Sequence, residues 1–226
     1  MKRFHLLLSL IGACLISAAA LGQTQAPVIT SIHVDNTCDF SVSDSQTPCP
    51  IGPGMTLIIT GENFGGDGNV SLCDCPTTTV ERWTPSGIIA MVDMVTPASA
   101  IMVETAGGAF SNTVPYTAIA PVIRRIDAGK CTYIPGVTRH LCQITPGTQF
   151  TIVGDFFGRF VGGQVATCDC ANATVDIWNP DWLVNPHTQN NRIVATAVDA
   201  ECGSSVVVQA GGMWSNPVPY TTCGGK

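Results

Sequence analysis

Charge is scarce in this 226-residue chain: 12% of its residues are Asp, Glu, Lys or Arg, and histidine occurs four times. Cations are the scarcer sign, with 10 Lys and Arg against 16 Asp and Glu. Nucleic acid is excluded as a partner, because phosphate backbones require clustered basic residues. An anionic membrane surface is excluded on the same ground. Beyond the N-terminus no apolar run approaches the ~20 residues of a spanning helix, so no membrane insertion of the mature chain is expected. Helical heptads are absent, as are Gly-x-Ser-x-Gly, His-Glu-x-x-His and the P-loop. His33, His140 and His187 occupy unrelated positions and read as solvated side chains. No enzyme and no cofactor is therefore expected. The remote alternative is a small secreted hydrolase using paired carboxylates, for which a small sandwich offers no evident cleft.

The chain does possess an N-terminal Met1-Lys2-Arg3-Phe4-His5 followed by an apolar run from Leu6 to Leu21. A basic start and a short apolar stretch make residues 1–22 a secretory signal, with small residues placing cleavage before Gln23. Ile11-Gly12-Ala13-Cys14 offers the alternative of a lipobox with lipid anchoring at Cys14, although the apolar run continues past it. Without Lys2 and Arg3 the mature chain has 8 basic and 16 acidic residues. A secreted, periplasmic or cell-surface location follows.

The remainder is a duplication. Pro27-Val28-Ile29 matches Pro121-Val122-Ile123, and the run from Met55 to Gly65 matches that from Thr148 to Gly158 without a gap. Cys73-Asp74-Cys75 matches Cys168-Asp169-Cys170, Trp83 matches Trp178, and Gly107 to Thr117 matches Gly211 to Thr221. The offset grows from about 93 to 104 because the second copy carries an insertion near residues 180–191. Boundaries follow at 23–118 and 119–226, joined by the short Ala118-Ile119-Ala120. Within each copy, Val-, Ile- and Thr-rich runs alternate with Gly, Pro, Asn and Asp, the punctuation of short antiparallel strands. In the first copy strands are expected near 28–34, 55–60, 69–73, 79–83, 88–93, 101–106 and 111–117, with Gly107-Gly108 as a two-residue hairpin turn. Seven such strands in under 100 residues predict an all-β, immunoglobulin-like sandwich, twice.

The frame Pro-x-Ile-x-x-Ile, Gly61-Glu62-Asn63-Phe64-Gly65, a Gly-Gly turn and a closing Val-Pro-Tyr resembles the IPT/TIG family. The resemblance covers essentially the whole mature chain, with Phe156 departing from the Asn of the pattern. It implies early-set immunoglobulin-like sandwiches with binding or spacer roles and no chemistry of their own.

Ten cysteines follow the signal, an even number that favours five disulfides in an exported protein. Strand order gathers Cys38, Cys49, Cys73 and Cys75 at one pole of the first copy, and Cys131, Cys142, Cys168 and Cys170 at that of the second. Two bridges per copy are expected from the 38–49 or 131–142 loop to the Cys-x-Cys turn, with connectivity open. Cys202 and Cys223 lie opposite across the last hairpin and are expected to bond. Four thiolates at each pole holding zinc is the alternative, but the spacing is unfamiliar for zinc and export favours oxidation.

Trp83, Trp178, Phe64, Phe157, Tyr116 and Tyr220 recur between copies and are expected to pack in the cores. Phe110 and Trp214, just past the Gly-Gly turns, and Trp182 in the insertion are the candidate binding residues, against the plainer expectation that such aromatics fold back over the sheet edge. They would serve an extracellular protein through loop tips and sheet edges, or, with the amides beside Trp182, a glycan. The first copy holds nine acids and a single base, Arg82, whereas the second has seven of each. That imbalance reads as a solvated acidic face, with weak Ca²⁺ or cation binding as the functional alternative.

Overall fold

A computed structural model describes residues 25–35, 38–43, 47–72, 78–97, 100–158, 163–168, 171–179, 191–200 and 204–222. Among these there is no helix, only strands and turns. The first repeat forms β1 (Val28–Val34), β2 (Cys38–Ser41), β3 (Cys49–Ile51), β4 (Thr56–Glu62), β5 (Gly68–Ser71), β6 (Thr78–Thr84), β7 (Gly87–Val92), β8 (Ala100–Thr105) and β9 (Val114–Ala118). They make a sandwich of two sheets, β2-β1-β4-β7-β6 against β3-β9-β8-β5. The second repeat follows the same plan with β10 (Val122–Ala128), β11 (Cys131–Tyr133), β12 (Gln149–Asp155), β13 (Gln164–Cys168), β14 (Ala171–Asn172) and β15 (Thr174–Asn179). It continues with β16 (Asn191–Thr196), β17 (Ser205–Ala210), β18 (Met213–Trp214) and β19 (Val218–Pro219). Its sheets run β11-β10-β12-β16-β15 and β14-β13-β17-β18, with β19 also on β17.

Strict alternation drives this arrangement. In β4 the side chains of Leu57 and Ile59 point inward and are fully buried while Ile58 and Thr60 face out. Their counterparts Phe150 and Ile152 do the same in β12. Even the irregularities recur: the ladder slips between Ile29 and Ser31, and again between Ile123 and Arg125. The repeated Ser-Asn pair has a structural task as well. The Asn112 side chain accepts from Ile29 N at 2.7 Å and donates to Ile29 O at 3.1 Å, pinning β1 at its bulge. Asn216 does likewise for Ile123, at 2.7 and 3.2 Å. The Gly-x-Asn-Phe-Gly segment is explained by close approach. A Cβ at Gly61 would lie 2.0 Å from Val28 O and 2.4 Å from Phe64 Cζ, and Gly154 is equally crowded by Val122 O and Phe157.

Three expectations are corrected. Cys38 bonds Cys49 and Cys131 bonds Cys142, with Cα separations of 5.7 and 5.5 Å, so neither reaches a Cys-x-Cys turn. The reason is that the 38–49 segment is not a plain loop. It contains β2, which ends one sheet on β1, and β3, which joins the other sheet parallel to β9. Each bridge therefore ties the rims of the two facing sheets together. The bonds also remove two thiolates from each postulated zinc set. Cys73, Cys75, Cys170, Cys202 and Cys223 lie outside the described residues, as does the 180–190 part of the insertion with Trp182 and His187. Finally, Gly107-Gly108 is not a two-residue hairpin. Gly108 N donates to Thr105 O and Thr105 N to Ala109 O, leaving three loop residues that end on Gly108 at φ 76°. In the second repeat Gly211 (φ 54°) and Gly212 (φ 83°) do form a two-residue turn, closed by the Ala210–Met213 pair.

The recurring aromatics are core residues as expected. Phe64, Phe157 and Tyr220 are almost wholly buried, and each Phe meets its Trp edge-on, Phe64 with Trp83 and Phe157 with Trp178. The Trp83 indole N–H donates to Phe64 O, and that of Trp178 to Gly158 O.

The repeats meet through a compact joint. Gly52-Pro53-Gly54-Met55 is a turn with Gly54 at φ 84°, closed by Met55 N donating to Gly52 O. Pro53 sits between Gly158 and Gly211, where added Cβ atoms would lie 3.0 and 2.5 Å from its ring. Val95 N donates to Gly211 O at 3.1 Å across the joint. Phe156 and Met213 of the second repeat pack on the core of the first. Phe156 does so at φ 60°, a left-handed conformation its counterpart Asn63 (φ 62°) tolerates and a bulky side chain resists.

Candidate functional site

Phe110 and Trp214, which the sequence leads one to expect folded back over the sheet edge, are exposed and occupy one structural position. Phe110 and Trp214 follow the Gly-containing loops and are 53% and 45% exposed. Neither folds back over its sheet. Trp214 lies opposite Gln209, and Gln209 lies opposite Gln164, across β18, β17 and β13. Directly paired residues share a face of a sheet, and the intervening Val165, Val208 and Ala210 point into the core. The three therefore form a row on the outer face. Gln164 Nε2 donates to Gln209 Oε1 at 2.7 Å, which fixes both amides beside the indole.

The first repeat builds the parallel row Asn69–Glu104–Phe110, with Glu104 opposite both Asn69 and Phe110. Each row thus joins an exposed ring to hydrogen-bonding groups one strand spacing away. A flat ring stacks on apolar ligand faces while amides and carboxylate bond hydroxyls or peptide groups. The amides were not singled out in the sequence, since only strand register brings residues 45 positions apart together.

Other surface features are weaker. An open depression of about 560 Å³ is lined by Val122, Arg124, Arg125, Ile134, Val153 and Asn216. Its two cations are already paired, Arg124 with the buried Asp155 and Arg125 with Asp127 at 2.9 Å. Among the described residues no group of three or more His, Cys, Asp or Glu is placed to hold a metal ion. His33 is half-exposed, 2.5 Å from Asp39, and His140 is exposed. Among the described residues no helix is long and apolar enough to cross a membrane. The two disulfides fit an extracellular protein.

No protein-family model matches the chain, and no curated protein does. Among solved structures, a surface glycan-binding protein of Prevotella bryantii is 15% identical with a TM-score of 0.36, matching 87% of this chain and 42% of its own. The plexin A4 extracellular region is also 15% identical, TM-score 0.36, with 90% of this chain and 19% of that one covered. SGBP-B from a complex xyloglucan utilization locus in Bacteroides uniformis is 17% identical, TM-score 0.32, covering 87% and 49%. The chain spans less than half the length of each. Likeness of this order carries no argument about family or ligand.

Proposed function

We propose that this chain is an exported, non-catalytic binding module of two IPT/TIG-like sandwich repeats, released by cleavage before Gln23. The observation that carries the reading is the row Gln164–Gln209–Trp214, an exposed indole beside two mutually bonded amides on a rigid sheet. Polyhydroxylated ligands need this pairing, because a sugar offers an apolar C–H face and a rim of hydroxyls. A glycan is therefore the ligand class the row fits, with Asn69–Glu104–Phe110 as a second subsite. Among the described residues both rows lie on open sheet faces, which suit an extended chain.

Affinity electrophoresis against a panel of soluble polysaccharides tests this. Retardation by at least one polysaccharide is expected, with Trp214→Ala weakening binding about tenfold or more, the scale of losing one buried aromatic contact. Gln209→Ala should weaken it less. Absence of retardation across the panel, or retardation unchanged in Trp214→Ala, refutes the glycan reading. The second reading, a protein partner, rests on the open depression where Val122, Ile134 and Val153 lie beside Arg124 and Arg125. It predicts that Val153→Glu, and not Trp214→Ala, abolishes attachment to the partner's cell surface.

A further inference from the structure

The joint between the repeats uses one end of each sandwich, and each end has a counterpart on the other repeat, the socket with a loop one residue longer at Gly107-Gly108 than at Gly211-Gly212. The plug is the Gly52-Pro53-Gly54 turn with Asp93 and Val95 beside it. The socket is Phe156, Gly158, Gly211 and Met213. Sequence register places a second plug on the second repeat, at Thr145-Pro146-Gly147 with Val198. A second socket lies on the first repeat at Asn63, Gly65, Gly107 and Ala109.

The second plug has the same geometry as the first. Thr148 N closes the turn on Thr145 O, Gly147 stands at φ 82°, and Gly147 N donates to Ala197 O as Gly54 N does to Val92 O. The second socket is a depression of about 210 Å³ lined by Asn63, Gly65, Gly66, Thr105, Gly107 and Ala109. Burial separates the engaged ends from the free ones. Pro53, Gly158 and Gly211 are buried in the joint, whereas Pro146, Gly65 and Gly107 are exposed. At the free plug an apolar Val198 is 59% exposed, where the engaged plug has Asp93. The steric pair also reverses consistently. Phe156 faces Gly52 inside the joint, where a Cβ on Gly52 would lie 3.0 Å from the ring. The free socket offers the smaller Asn63, and the free plug the larger Thr145.

We propose that the chain associates head to tail with a second copy of itself, the Pro146-Gly147 turn and Val198 of one copy seating in the Asn63–Gly65–Gly107–Ala109 socket of the next. The contact is heterologous, so it leaves a free plug and a free socket after each addition and extends into open chains. It lacks the tether that makes the internal joint effectively concentrated, so association sets in only at high micromolar concentration. Asp67 lines the socket and Asp199 follows Val198 on the plug, so added salt strengthens assembly by screening their repulsion.

Sedimentation velocity of the mature, oxidised chain from about 1 μM to about 500 μM tests the proposal in the range that loss of the tether sets. The average mass should rise continuously past that of a dimer. Ala109→Arg blocks the socket and leaves the plug, whereas Pro146→Arg, on an exposed turn, blocks the plug and leaves the socket. Each variant alone should remain monomeric, and a one-to-one mixture should form dimers that grow no further. Val198→Arg, a second plug variant, should behave as Pro146→Arg does. Circular dichroism and thermal melting verify that each variant is folded, and a misfolded one is replaced at the same end. A wild-type chain that is monomeric throughout, variants that assemble like wild type, or a mixture without dimers would overturn it.

Discussion

The clearest test of the joint is the pair Gly52 and Phe156. Placing alanine at Gly52 brings its Cβ to 3.0 Å from Phe156 Cδ1 and 3.3 Å from Phe156 Cβ. The ring cannot rotate freely away, because it is wedged on the first core from a backbone already at φ 60°. Overpacking of this kind costs about 1–3 kcal/mol. Replacing Phe156 by asparagine has two opposed effects. It relieves a left-handed strain of about 1 kcal/mol, and it removes a half-buried ring worth about 1–1.5 kcal/mol, roughly half the value for full burial. The single variant should therefore change total stability by less than about 1 kcal/mol. In that background Gly52→Ala still meets the Cβ of residue 156 at 3.3 Å but no ring carbon, so its cost should fall to about 1 kcal/mol or less. The two substitutions should thus couple by about 1–2 kcal/mol, with Gly52→Ala costing less in the Phe156→Asn background than in the wild type. Urea unfolding of all four proteins, read by circular dichroism and tryptophan fluorescence, measures this cycle. Additivity within about 0.5 kcal/mol would show that the ring and the glycine do not meet in solution.

The disulfides and the asparagine pins make further demands. Replacing Cys38 and Cys49 together by alanine should lower stability by about 2–3 kcal/mol, the entropy of closing a loop of this size, measured by thermal melting beside the wild type in oxidising buffer. Loss below about 0.5 kcal/mol would mean the unfolded chain gains nothing from the cut. Asn112→Ala strips two backbone groups of Ile29 of their partner and should cost about 1–3 kcal/mol, as should Asn216→Ala at Ile123. Hydrogen exchange should then rise at Ile29 or Ile123 respectively; unchanged protection at both would contradict the pinning.

What the sequence made legible was whatever the duplication repeated. Gly61 and Gly154, Trp83 and Trp178, and Tyr116 and Tyr220 recur because each meets the same backbone or core in both sandwiches. The position of Phe110 and Trp214 past a turn was legible, but neither their exposure nor the amides completing the row were. Gln164 and Gln209 become neighbours only through the β13–β17 register. The disulfide partners were misread because Cys38-Asp39-Phe40-Ser41 and Cys49-Pro50-Ile51 are too short to show a period. Proline at position 50 also reads as loop, although it fits an edge strand. Phe156 was visible as a departure from the pattern. Its meaning lay in the signal that a bulky side chain stood where its counterpart needs a positive φ, a cost some other contact must offset.

The rim-to-rim disulfide also sets how the first sandwich would carry tension. A pull on the start of β1 against the end of β9 can unzip β1 only as far as Cys38. There the covalent bridge passes the load to Cys49, at the beginning of β3. Because β3 runs parallel to β9, the two are then drawn past each other along their length, and their ladder bonds must break together. The chain stored behind the bridge, between residues 38 and 49, cannot pay out at all. A module tethered at a surface and holding a ligand under flow would be stiff up to that rupture, with its extensibility governed by the redox state of one bond.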